Sequence, residues 1–280
     1  MTAFLSLMGA LIVGASDFAG GISARRTSAF ATAGWIQAAS FATLAVAVWF
    51  IDAPEVRSVD LTAGVVAGLS GTFSFVALYA AFTRGKISLL APTSALVGAI
   101  IPTVVGLARG ESLRPLNVIG IAAAFVAIVL VTQDRGDSDE PTSTPPVAFV
   151  LALVAGLGFS VFFLALAETQ PDAGFWPLIA ARVVSVPVVV GIAVRLGGGM
   201  TMPRDLRWIV IAAGVAEGVS NVFVLWAYQR GPLAVAAVLG AFYPVSTVLL
   251  ARVFLSERLR RLQWIGVALS LTAVPLVAVP

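Results

Sequence analysis

Charge is nearly absent from long stretches of this sequence, and that limits the chain more than anything else it carries. From Trp208 to Tyr228 the single formal charge is Glu217. About ten runs of this kind follow one another, each near the roughly 20 residues that a helix needs to cross ~30 Å of hydrocarbon. A soluble domain carries roughly 25% charged residues; here 11% are charged and 59% hydrophobic. Surface of that composition cannot face water, and in lipid a backbone must satisfy its own hydrogen bonds, which favours helices. The expected fold is therefore an all-α integral membrane protein. Helices are predicted at roughly 2–24, 29–51, 60–82, 88–108, 115–133, 146–167, 174–196, 206–228, 233–254 and 262–279. The first run lacks a basic leading segment and is long, so it reads as a permanent helix and not as a signal peptide.

The net charge of +3 is scattered over loops and forms no basic stripe, which argues against a nucleic-acid partner. The chain has no cysteine and no histidine, so disulfides, thiol chemistry and the commonest metal ligands are excluded, and no cofactor or metal is expected. Nothing in the sequence requires an oligomer.

The one clearly polar stretch, "DRGDSDEPTSTPP" from Asp134 to Pro146, reads as a solvated linker near the middle of the chain. The two sides of it are related. "AFTRGKISLLAPTSALVGAIIPTVVGLARGESLRPLNVIG" aligns without a gap on "AYQRGPLAVAAVLGAFYPVSTVLLARVFLSERLRRLQWIG" at an offset of 146, which is Arg230 minus Arg84. At that offset Gly68 meets Gly214, Glu111 meets Glu257 and Gly120 meets Gly266. The chain thus divides into a first five-helix repeat (1–133), a linker (134–145) and a second five-helix repeat (146–280). Five is odd, so the second repeat enters the membrane inverted, the arrangement of secondary transporters that bind near the midplane between the halves.

Several local patterns carry a family resemblance. They are "GASDFAGG" (Gly14–Gly21), its weaker echo "GLGFSVFFLAL" (Gly156–Leu166), and the A-x-x-R-G turns at Ala81–Gly85 and Ala227–Gly231. The loops "GESLRPLNVIG" and "SERLRRLQWIG" add to them. With these, the chain resembles the EamA-type family of the drug/metabolite transporter superfamily. The resemblance implies a cavity lined by helices 1, 3, 4, 6, 8 and 9, with helices 5 and 10 peripheral, cytoplasmic termini and export as the direction. The sequence departs from internal symmetry in two places: helix 6 has no charged counterpart to Asp17, and Lys86 faces Pro232.

A charge at the bilayer centre costs at least about 2.5–3.5 kcal/mol, so intramembrane ionisable residues are candidates for function. Glu217 replaces Gly71 of the first repeat, Asp17 faces Val161, and Arg182 is the one basic residue well inside a span. Arg182 needs a partner, and Glu217 or Glu168 can supply it. With no histidine present, Asp17 and Glu217 are the candidate proton carriers. Ser220 and Asn221 lie three and four residues beyond Glu217, on one helical face with it. Tyr79, Ser94, Trp226 and Tyr243 complete the candidate site, with Ser74, Thr93, Ser160 and Ser246 as further polar groups. The alternative for any of these hydroxyls is helix–helix hydrogen bonding. Gly64–Gly68 and Gly214–Gly218 read as close-packing pairs. Pro92, Pro102, Pro187 and Pro244 read as kinks. The E-x-x-R spacings Glu111–Arg114 and Glu257–Arg260 read as structural ion pairs at helix starts.

The resulting expectation is a multi-pass carrier in the cell membrane. It would export small organic metabolites, amino acids or their relatives, in exchange for protons by alternating access. A passive channel or facilitator and a drug efflux carrier are the alternatives. A channel would show a continuous polar stripe, which the sequence lacks. An enzyme would need a catalytic set for which no histidine or cysteine is present, so no enzyme is expected. Orientation stays open. Twelve Lys and Arg residues on loops 1–2, 3–4, 5–6, 7–8 and 9–10, against four on the others, put the termini outside. The family resemblance puts them in the cytoplasm.

Overall fold

A computed structural model describes residues 1–131, 144–196, 199–255 and 261–278. Most of the polar linker and the Glu257–Arg260 pair lie outside the described residues. The described chain is helical: α1 (Thr2–Arg26), α2 (Ala29–Ala47, continued by a 3-10 turn to Phe50), α3 (Ser58–Phe82), α4 (Ile87–Ala108), α5 (Pro115–Val131), α6 (Pro146–Ala167), α7 (Trp176–Leu196), α8 (Arg204–Arg230), α9 (Leu233–Gly240), α10 (Tyr243–Leu255) and α11 (Arg261–Ala278). Among the described residues, eight stretches are long and apolar enough to cross a membrane, α9 and α10 together forming one of them. The helices α5 and α11 are shorter, at 17 and 18 residues. Large apolar side chains such as Phe73, Val104, Val253 and Phe254 stand exposed on helix flanks, where lipid would cover them. The chain is thus a multi-pass membrane protein.

The ninth expected span is two helical segments and not one helix. Pro244 has no N–H for the carbonyl of Gly240, and its ring disfavours helical backbone at Tyr243. The helix stops at Gly240 and restarts at Tyr243. Pro92 and Pro102, by contrast, lie within the continuous α4, and Pro187 lies within α7.

Helices from opposite sides of the linker interleave. The principal neighbours are α3 with α6, α1 with α8, α3 with α7, α2 with α8, α2 with α7, α1 with α10, α4 with α6, α4 with α9 and α5 with α11. Two of these crossings turn on glycine. A Cβ at Gly68 would strike the carbonyl of Ala181 on α7, and a Cβ at Gly214 would strike the carbonyl of Ile36 on α2. The backbones approach closely because nothing stands between them, as the small-residue pattern predicts. At the periphery, Asn117 on α5 donates to the carbonyls of Leu276 and Val277 on α11, at 3.3 and 3.1 Å.

Glu111 departs from the sequence expectation. Its carboxylate accepts from the backbone N–H groups of Leu233 (2.5 Å) and Ala234 (3.0 Å). It therefore caps the N-terminus of α9, across the linker from its own helix. The free N–H groups and the positive end of the dipole make that terminus a natural seat for a carboxylate. Replacing Glu111 by alanine is expected to lower stability by about 1 kcal/mol, the usual cost of a lost N-cap. The melting temperature of the purified variant measures it, and an unchanged value would show that the cap contributes nothing.

Candidate functional site

The residues of α1 that face inward are Ser6, Ala10, Val13 and Asp17, spaced by four, three and four, which is one stripe along the helix. Hydroxyl-to-carbonyl bonds hold α1 in place. Ser16 donates to Ala213 of α8 (2.8 Å), and Ser220 of α8 donates to Gly9 (2.9 Å). From the other flank Thr247 of α10 donates to Gly14 (2.8 Å), where a Cβ would collide with Ser246 and the carbonyl of Tyr243. Asp17 follows Gly14 by three residues, so the close α1–α10 approach sets where its carboxylate sits.

That carboxylate lines a cavity shared among α1, α3, α6, α8, α9 and α10. Much of the wall is aromatic: Phe75, Phe159, Phe162, Phe163, Tyr228 and Tyr243. Phe163 and Tyr228 stack with centroids 5.2 Å apart, and Phe75 meets Phe159 edge-on at 5.1 Å. The polar lining consists of Ser6, Asp17, Ser220 and Asn221, besides the tyrosine hydroxyls. Asp17 is 2% exposed, and its Oδ1 has no hydrogen-bond partner among the described residues.

Behind Asn221 lies a buried ion pair. Arg182 Nη2 donates to Glu217 Oε1, and Asn221 Nδ2 donates to the same oxygen at 2.5 Å. Glu217 is 0% exposed and Arg182 3%. Glu217 Oε2 and Arg182 Nε find no partner among the described residues. Of the two partners expected for Arg182, Glu217 is the one observed; Glu168 pairs instead with Arg109 at the surface, at 2.6 Å. Glu217 lies within electrostatic range of Asp17, so its ion pair with Arg182 stands close to the cavity wall. Tyr79 is fully buried within range of all three, and its ring fills the space beside Gly20 on α1.

The structure therefore brings Asp17, Ser220, Asn221 and Tyr243 into one lining, with Glu217, Arg182 and Tyr79 directly behind it. Ser94 lines a smaller adjoining pocket that shares Tyr243, Phe159 and Phe163 with the first. Trp226 stands elsewhere, against Phe175 and Phe223 and under Arg230. Four further hydroxyls bond to backbone: Ser74 to Ser70, Thr93 to Leu89, Ser160 to Val97 and Gly156, and Ser246 to Leu11 and Tyr243. These are the helix-bonding alternative.

Sequence reasoning missed the phenylalanines of α6, Ser6, Tyr228 and the buried Gln37. The stripe from Ser6 to Asp17 and its match from Glu217 through Asn221, Val224 and Tyr228 were available as helical spacing. Gln37 Oε1 accepts from Thr72 at 3.2 Å. On α2 and α7, Gln37 corresponds to Arg182 and Ser40 to Ser185 at an offset of 145 (182 minus 37, 185 minus 40). A neutral α2–α3 hydrogen bond thus stands in the first half where the second half has its α7–α8 ion pair.

A model of the EamA-like transporter family matches residues 142–279. No curated protein matches the chain. A solved structure described only as "Crystal structure of protein" superposes with a TM-score of 0.72 and 17% identity, over 99% of this chain and 96% of that one. At that identity the likeness speaks for the fold alone.

Proposed function

Because the chain belongs to the EamA-like transporter family, within the drug/metabolite transporter superfamily, we propose that it is a secondary carrier with two inverted five-helix repeats. It exports amino acids or related small metabolites by alternating access, in exchange for protons. The observation that carries this reading is the cavity between the repeats, into whose wall Asp17 brings a carboxylate oxygen without a partner. A buried charge or polar group without a partner is costly and is retained where a ligand completes it. Interleaved packing supports the repeats: exchanging the halves turns α1–α8 into α6–α3 and α2–α8 into α7–α3, and both members of each pair are observed.

The proposed cycle gives each group a task. Asp17 and Glu217 are the acids that can exchange a proton, Arg182 holds Glu217, and Asn221 connects that pair to the cavity. Rocking one repeat on the other opens the cavity to either side in turn. The test is counterflow in proteoliposomes, with a panel of labelled amino acids and their amine and amide derivatives. Internal substrate is expected to stimulate uptake, which a passive channel would not show. Asp17→Asn is expected to abolish accumulation driven by an imposed pH gradient. Unchanged rate and pH profile in both Asp17→Asn and Glu217→Gln would remove the proton-carrier assignment.

A further inference from the structure

We infer that the cavity selects an ammonium group borne on an apolar, aromatic body with no carboxylate beside it: an arylalkyl amine, or an amino-acid derivative whose acid is masked or lost. The inference rests on the carrier reading above and narrows its substrate class.

The charges of the wall decide the sign. Among the described lining residues Asp17 is the sole charged side chain, and none is basic. Arg182 lies outside the lining and is paired with Glu217. A solute therefore meets one carboxylate with a free oxygen and no cationic group. An ammonium completes Asp17, and the surrounding ring faces add to the attraction for a cation.

The geometry then separates amines from free amino acids. In an α-amino acid the ammonium and carboxylate sit on the same carbon. A zwitterion docked on Asp17 brings its own carboxylate against the one in the wall, in a site whose lining is mostly apolar. That anion is left with neutral donors only, and an unpaired charge in such a site is costly. Ser6 and Tyr228, whose hydroxyls have no partner among the described residues, line the same cavity. They stand away from Asp17, since Ser6 precedes it by 11 residues, about 16 Å along a helix. They suit a neutral polar group at the far end of the solute. The space between is walled by Phe75, Phe159, Phe162 and Phe163, which suits an aromatic ring.

Four probes of nearly equal size test this by equilibrium binding to the purified full chain in lipid nanodiscs at neutral pH: 2-phenylethylamine, phenylalaninol, phenylalanine and 2-phenylethanol. The two amines without an acid are expected to bind at least about tenfold more tightly than phenylalanine, because only the zwitterion leaves an anion unpaired. They are expected to exceed 2-phenylethanol by a similar factor, because it leaves Asp17 uncompleted. Asp17→Asn is expected to bring 2-phenylethylamine down to the level of 2-phenylethanol. The wild-type ranking stands as a test even if that variant does not fold. Phenylalanine binding as tightly as 2-phenylethylamine overturns the inference, as does 2-phenylethanol binding equally well or binding of none of the four. Tight phenylalanine binding with counterflow would leave the carrier reading intact. Amine binding without counterflow would overturn the carrier reading and keep the ammonium site.

Discussion

Replacing Arg182 with methionine is expected to destabilise the protein by about 3–5 kcal/mol, the cost of leaving one member of a buried ion pair without the other. Glu217 is fully buried, and its remaining described partner is Asn221, a neutral donor on the oxygen that Arg182 also holds. The companion experiment removes the charge as well. The double variant Arg182→Met with Glu217→Met is expected to regain most of the lost stability, because well-packed apolar side chains replace buried ion pairs at little cost. Recovery is incomplete, since Asn221 Nδ2 then loses its acceptor. Thermal melting of the parent, the two single variants and the double variant forms a double-mutant cycle. A double variant no more stable than Arg182→Met alone would mean that the loss arises from packing around the guanidinium stem. Under the proposed function the double variant folds and does not couple transport to protons, so stability and activity part company at this pair.

The spans were legible because length and hydropathy are local properties. A run of about 20 apolar residues declares its helix wherever it ends up. The break in the ninth span was less so. Pro244 announced a disturbance, but the same residue type at Pro92, Pro102 and Pro187 leaves helices continuous. What differs is tertiary: Glu111 caps α9 from across the linker, and Tyr243, at the restart, donates to the carbonyl of Ala91 on α4 at 3.2 Å. The partners of buried charges were half legible. Burial cost predicted that Arg182 needs an acid, and spacing offered two, but only the packing of α7 on its neighbours separates Glu217 from Glu168. Glu111 was misassigned for the same reason. An i,i+3 arginine is visible in sequence, while two backbone N–H groups 122 and 123 positions away are not. The cavity wall was the least legible part. A phenylalanine stripe on α6 reads equally as lipid-facing or inward-facing until the neighbours of the helix are known.

The interleaved packing makes a symmetric prediction. Gly68→Ala and Gly214→Ala are expected to destabilise by similar amounts, each about 1–3 kcal/mol, the usual cost of forcing extra volume into a close-packed contact. In both, the new methyl would meet a backbone carbonyl, Ala181 in one and Ile36 in the other, and neither can rotate away as a side chain would. The two carbonyls occupy positions 145 apart and the two glycines positions 146 apart. Under the proposed inverted repeats, an axis exchanging the halves would make the two collisions versions of one contact. Gly191 in α7 provides the control, because a Cβ there meets nothing within 4 Å. Gly191→Ala removes only backbone freedom and is expected to leave melting unchanged or raise it slightly, since alanine favours helix by up to about 1 kcal/mol. Melting curves of the three variants under one condition decide the matter. A large loss at Gly68 with none at Gly214, or the reverse, would show that the α3–α7 and α8–α2 crossings are not equivalent. An alternating-access cycle built on exchanging equivalent halves would then lose its structural basis.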